Sequence, residues 1–169
     1  MKRVFSFAAV LFLLAACGNE TPAPTNHDNH KAQESTPAPS TPAVTSGNAI
    51  VLNGGDDMKF DQTAITVIAN EVVKLTLNHT GKMSKEAMGH NFVLLKPGTD
   101  INKFATEAIA AKDNDYVPTN AAAVLAHTKV LSGGESDSIE FTITEKGEYP
   151  FICSFPGHSA IMQGVITVK

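Results

Sequence analysis

Cys153-Ser-Phe-Pro-Gly-His158-Ser-Ala-Ile-Met162, close to the C-terminus, brings a thiol, an imidazole and a thioether together in the spacing Cys-x4-His-x3-Met. One Cys and two His in a trigonal set, with a long and weak axial Met, are the donors of a blue-copper electron-transfer site. The segment carries three of those four donors, so a second His must come from elsewhere. Gly89-His90-Asn91, at the start of an apolar run, is the best candidate. Each donor has a plainer reading. A buried Cys is often a small hydrophobe, most methionines fill gaps in cores, and a His ahead of a strand is commonly a satisfied, half-buried imidazole. Their coincidence in one pattern favours ligation.

The N-terminal end is different in kind. Met1-Lys2-Arg3 is a short positive segment, followed by an apolar run from Val4 to Ala16 that is too short to span a bilayer. It reads as a secretory signal (residues 1–16), and its exit, Leu14-Ala15-Ala16-Cys17, has the lipobox pattern of bacterial lipoproteins. That pattern implies cleavage before Cys17, acylation of Cys17 and anchoring by lipid. Gly18 in place of Asp favours the outer membrane, on its periplasmic side or at the cell surface. An ordinary secretory peptide with a chance Cys, or a buried N-terminal helix, is the plainer alternative. With Cys17 acylated, Cys153 is the one thiol left of two, and no intramolecular disulfide can form although the compartment favours them. Loss of Lys2 and Arg3 takes the formal charge from −4 to −6. The lysines are scattered without a basic cluster, so no nucleic-acid partner is expected.

Residues 17–47 form a lipidated Cys followed by a linker of Pro, Thr, Ala, Ser, Asn and Gln, in which Thr21-Pro-Ala-Pro24 recurs as Thr36-Pro-Ala-Pro39. Such a composition buries too little surface to offset its ordering entropy, which predicts a disordered tether. At about 3.1 Å per residue its prolines extend it to roughly 90 Å. His27 and His30 read as solvated linker residues. From Asn48 to Lys169 the texture changes to short apolar or alternating runs broken by turn residues. Strands are expected at 49–52, 64–68, 72–77, 91–95, 123–131, 138–144, 148–153 and 164–168, with turns at Asn53-Gly-Gly55 and Asn78-His-Thr-Gly81. Ala-rich Ile101 to Lys112, with Asp100 as N-cap, predicts one short helix. The fold class is therefore all-β, a Greek-key β-sandwich with a single helical insertion, preceded by the tether.

Met88-Gly-His-Asn91, Ala126-His-Thr-Lys129 and the segment Cys153 to Gly164 together resemble the azurins, a branch of the cupredoxins, and the likeness covers residues 48–169. With the lipobox and tether, the whole chain resembles the lipid-modified azurins of Gram-negative bacteria. The resemblance implies one copper held by His90, Cys153, His158 and Met162, with the Gly89 carbonyl as a weak further donor. It implies that Asn91 ties the two ligand loops together, that Phe155 and Phe92 pack near the site, and that His79 is a pH-sensitive neighbour. It also implies a flat apolar patch for redox partners, at Met58, Met88, Phe155, Pro156, Gly157, Ala160 and Ile161. Partners of the family include cytochromes, nitrite reductase and peroxidase. Two departures stand out: His79-Thr80-Gly81 replaces the commoner His-Pro-Gly, and the disulfide typical of azurins has no cysteines here.

A one-electron carrier, not an enzyme, is the function this reading predicts. A copper-buffering lipoprotein would favour a tether rich in Met and His, and this one has two His and no Met. A copper enzyme needs a further His set, and the domain offers only His79 and His127 beyond the ligands; His127 reads as a surface or structural residue. An antigenic or adhesive role of the tether is compatible with electron transfer.

Overall fold

Alternation of apolar and polar residues builds β2 (Ala49–Gly54), β3 (Ala64–Val67) and β4 (Val72–His79), whose inward side chains Ile50, Leu52, Ile65, Val67, Val73, Leu75 and Leu77 are all buried. A computed structural model describes residues 45–119 and 121–169. The expected signal peptide, Cys17, the tether histidines and most of the linker lie outside the described residues. The remaining strands are β1 (Thr45–Ser46), β5 (Val93–Leu95), β6 (Val124–His127), β7 (Ser136–Thr142), β8 (Gly147–Ile152) and β9 (Gln163–Val168). They form one sheet in the order β1-β3-β9-β8-β5-β6 and a second in the order β2-β4-β7. β2 and β4 are parallel neighbours because β3, between them in sequence, crosses to the other sheet. This is the sandwich expected.

Several boundaries differ from the expectation, and each difference has a local cause. Pairing begins at Thr45, against β3, ahead of the boundary placed at Asn48. β2 continues through Asn53-Gly54, because Asn53 is held to the Asp61 carboxylate and Gly54 pairs with His79. β4 likewise runs through Asn78-His79; the Asn78 amide donates to Asn53 Oδ1 at 3.0 Å. Turn-prone residues stay in strands where a side chain from another segment, or the paired strand itself, engages them.

The strand expected over 123–131 stops at His127. Beyond it the backbone is satisfied by side chains instead of a ladder: Lys129 N–H donates to Asp137 and Val130 N–H to Asp115 Oδ1 at 2.8 Å. Two helical segments interrupt the strands. A single turn, α1 (Lys85–Met88), was not expected. The predicted helix is α2 (Ile101–Ala108), capped by Asp100 Oδ1 accepting from Lys103 N–H at 3.0 Å, and it continues as a 3-10 turn over Ile109–Asn114.

The run Phe92-Val-Leu-Leu95 is apolar on both faces because both faces are covered. Leu94 enters the core between the sheets, while Val93 and Leu95 join Phe104 and Ala108 of α2 in a second cluster. Cys153 and Met162 belong to the first cluster, so the donors are embedded in the core itself.

Candidate metal centre

His90, Cys153 and His158 come together from two separate segments, and their ligating atoms all lie within 4.8 Å of one another. His90 sits where the chain enters β5 and is locked to Leu131 by a pair of backbone hydrogen bonds, 3.2 and 2.8 Å long. The other segment is a closed loop. Cys153 N–H donates to the Met162 carbonyl, Met162 N–H to the His158 carbonyl and His158 N–H to the Phe155 carbonyl, at 2.8–3.0 Å. Cys153 and Met162 are fully buried and His158 is 3% exposed. Cys153 Sγ lies 3.6 Å from His158 Nδ1 and 3.9 Å from the Gly89 carbonyl oxygen.

The chemistry of His90 shows which kind of partner its ring suits. Its Nε2 lies 2.8 Å from the Gly55 carbonyl. A carbonyl only accepts, so Nε2 carries the proton and Nδ1 presents a lone pair. That Nδ1 is buried and is the one buried side-chain nitrogen or oxygen without a hydrogen-bond partner among the described residues. An orphaned buried acceptor costs about 1–3 kcal/mol, and a metal beside Cys153 and His158 is the partner that removes the cost. The donor set of thiolate and two imidazoles, with the Met162 thioether buried in the same loop, suits copper.

Burial also sets the protonation of the donors. It pushes the Cys153 thiol up to about 12, partly offset by backbone hydrogen bonds from Asn91 and Phe155. It lowers His158 to about 4, with the neighbouring His90 and His79 adding to the shift, and lowers His90 as well. Both imidazoles are thus neutral and ready to ligate at pH 7, whereas metal uptake must displace the thiol proton. Released protons titrated during copper addition at pH 7 should approach about one per site.

The unfolded chain protonates His158 near its ordinary value of 6.5, while the folded metal-free chain resists until about 4. The unfolded state therefore binds more protons across that interval, and metal-free stability falls as pH drops from about 6.5 to about 4. Denaturant midpoints measured across this range check it.

Around the donors, Asn91 bridges both segments. Its Oδ1 accepts from Ser154 N–H at 2.8 Å, and its amide donates to Ser154 Oγ at 2.9 Å. Phe92 and Phe151 are fully buried and tilt against each other at 5.4 Å. His79 is buried and stacks on His90 at 4.2 Å; its Nε2 donates to the Met88 carbonyl and its Nδ1 accepts from Gly81 N–H. His127 is exposed on β6, outside the cluster. Of the residues expected to form an apolar patch, Ile161 is 53% exposed, Gly157 and Ala160 are exposed, and Met58, Met88 and Pro156 are half-buried. Phe155 is only 8% exposed; its ring lies between Tyr116 and His158 and forms a wall of the site, with little of it at the surface.

Gly54, Gly55 and Ser154 were not singled out from the sequence. A Cβ at Gly54 would stand 2.6 Å from Met162 Cε and 3.2 Å from His90 Cδ2, so its absence admits both donors. Asn53-Gly-Gly55 signals a turn, which Gly55 opens, but Gly54 lies inside β2, where a glycine also marks close approach. Gly89 is equally constrained, for a Cβ there would meet the Lys85 carbonyl and Val130 Cγ1 at 2.6 Å and Phe155 at 2.9 Å. Gly89→Ala should destabilise the metal-free protein by about 1–3 kcal/mol, read from chemical denaturation.

Two packed sheets with a buried Cys-His-His set at one end define a cupredoxin-type copper protein of the electron-transfer kind. The pattern of copper-binding proteins of the plastocyanin/azurin family matches residues 48–169, and the chain belongs to that family. It is 42% identical to the azurin of Bordetella pertussis over 132 residues, 75% of this chain and 87% of that one. It is 37% identical to the azurin of Pseudomonas aeruginosa over 135 residues, 77% and 90% of the two chains. Among solved structures, a dithionite-reduced auracyanin from Roseiflexus castenholzii superposes with TM-score 0.67 at 32% identity, covering 74% of this chain and 99% of that one. An azurin from Methylomonas sp. strain J gives the same TM-score and identity over 72% and 97%.

Proposed function

We propose that this protein is a membrane-tethered carrier of single electrons between redox proteins. The observation that carries the reading is the buried, unpartnered Nδ1 of His90, facing Cys153 and His158 in a site closed to water. Bound copper supplies the one-electron Cu(II)/Cu(I) couple. The chain supplies donors acceptable to both oxidation states, soft sulfur from Cys153 and Met162 and imidazole from His90 and His158. It also holds them on hydrogen-bonded loops, so that little rearranges when the charge changes. Carriage in place of catalysis is favoured because His79 has both ring nitrogens engaged by backbone and His127 is exposed on β6. Neither is placed to build a second, open metal position.

The exposed small and apolar residues beside His158, namely Gly157, Ala160 and Ile161, suit brief docking of a redox partner. Cytochromes, a nitrite reductase or a peroxidase are the classes the family resemblance suggests. Acylated Cys17 anchors the protein in the outer membrane, and the Pro-rich segment gives the domain its reach. Voltammetry of the copper-loaded full chain should give a reversible one-electron wave; its absence overturns the carrier reading. Labelled palmitate should enter the wild-type protein and not Cys17→Ser, and an unlabelled wild type overturns the anchor alone.

A further inference from the structure

Asp115 and Tyr116 hold consecutive left-handed backbone conformations, with φ of +53° and +56°. Aspartate tolerates that region, but for a bulky residue it is a genuine outlier. Such strain persists where the surroundings over-determine it, commonly at functional sites. A helix end accounts for one left-handed residue, and Asp115 follows the 3-10 turn in that role. It accounts neither for the second nor for where the two carbonyls go.

Both carbonyls are taken up by the side chains that flank the donors. The Asp115 carbonyl accepts from Asn91 Nδ2 at 2.7 Å, and the Tyr116 carbonyl from Ser154 Oγ at 2.8 Å. Asn91 and Ser154 are also bonded to each other, and they follow His90 and Cys153 directly in sequence. The Asp115 carboxylate reaches the opposite wall: its Oδ1 accepts from Val130 N–H at 2.8 Å, and the next residue, Leu131, forms the backbone pair that holds His90. The Tyr116 ring packs against both core clusters and meets Phe155 edge-on at 5.1 Å, which pins the turn in place. One dipeptide thus grips both ligand segments without contributing a ligand.

We propose that Asp115-Tyr116 is a positioning element of the metal centre, orienting Asn91 and Ser154 around the Cys153 sulfur and bracing Leu131 against His90. The proposal rests on the copper reading of the site. Outer contacts of this kind typically change metal affinity 10–100-fold when lost. Three full-chain variants separate the contributions. Asp115→Asn keeps an acceptor oxygen and tolerates the left-handed backbone; Asp115→Gly keeps only the backbone; Asp115→Ala loses both.

The Asn variant should match wild type. The Gly and Ala variants should bind copper about tenfold or more weakly, Ala the weaker, with a shifted thiolate–copper band and altered Cu(II) paramagnetic resonance. In the metal-free protein the Asn91 side-chain amide, followed by NMR hydrogen exchange, should lose protection in the same order. Gly and Ala variants that lose only thermal stability, while keeping the wild-type band, affinity and Asn91 protection, overturn the proposal. So does an Asn variant as impaired as Ala. If Ala fails to fold, the Gly–Asn comparison decides. A wild-type chain that never turns blue defeats the copper reading instead, and the metal-free exchange measurement still judges the turn.

Discussion

Cys153→Ser should abolish the blue colour of the copper-loaded protein entirely while leaving the sandwich folded. The colour belongs to the bond between thiolate and copper, and Cys153 is the only cysteine among the described residues. Serine is smaller by little, and a hydroxyl beside His158 Nδ1, where Sγ now stands at 3.6 Å, has an acceptor within reach. The core around residue 153 therefore survives with a modest loss of stability. What changes is the donor: a hydroxyl is hard and does not ionise at neutral pH, so the soft ligand suited to Cu(I) is gone. Visible spectra of both proteins after Cu(II) addition provide the check. Colour retained in the variant, or absent from wild type, would sink the assignment of Cys153.

Copper should also raise the melting temperature by a large margin. A ligand that binds only the folded chain stabilises it by about 4 kcal/mol when free ligand is a thousandfold above Kd. For a domain of this size that corresponds to a rise on the order of 10–20 °C. The site is organised in advance: the His90 tautomer is set by Gly55, and the loop from Cys153 to Met162 is closed by its own hydrogen bonds. Little of the binding energy is then spent on ordering. The gain matters here because the cystine of typical azurins is missing, a constraint generally worth about 2–4 kcal/mol. Calorimetry with and without copper measures the difference, and coincident transitions would contradict a metal-centred account.

Three donors were legible because they share one loop, where spacing alone brings them together. His90 was legible as the histidine opening an apolar run, and the strands followed from alternation. The misjudged boundaries share one cause. At Asn53-Gly54 and Asn78-His79 turn-prone residues remain in strands because partners on the paired strand, and Asp61 of the following connection, engage them. At Lys129-Val130 an apparently continuous strand breaks because side chains satisfy its N–H groups. Local composition carries no record of such partners.

The amino-acid order alone determined which atoms can bind metal and the alternation that makes two sheets. Only the tertiary structure decided that His90 presents Nδ1, since its tautomer depends on a carbonyl at Gly55, distant in sequence. It also placed Phe155 in the wall of the site, and it turned the carbonyls of Asp115 and Tyr116 toward Asn91 and Ser154. The physical reason is common to all three. Burial and hydrogen-bond partnership are set by sheet register and loop closure across many residues, whereas the identity of a donor is written at a single position.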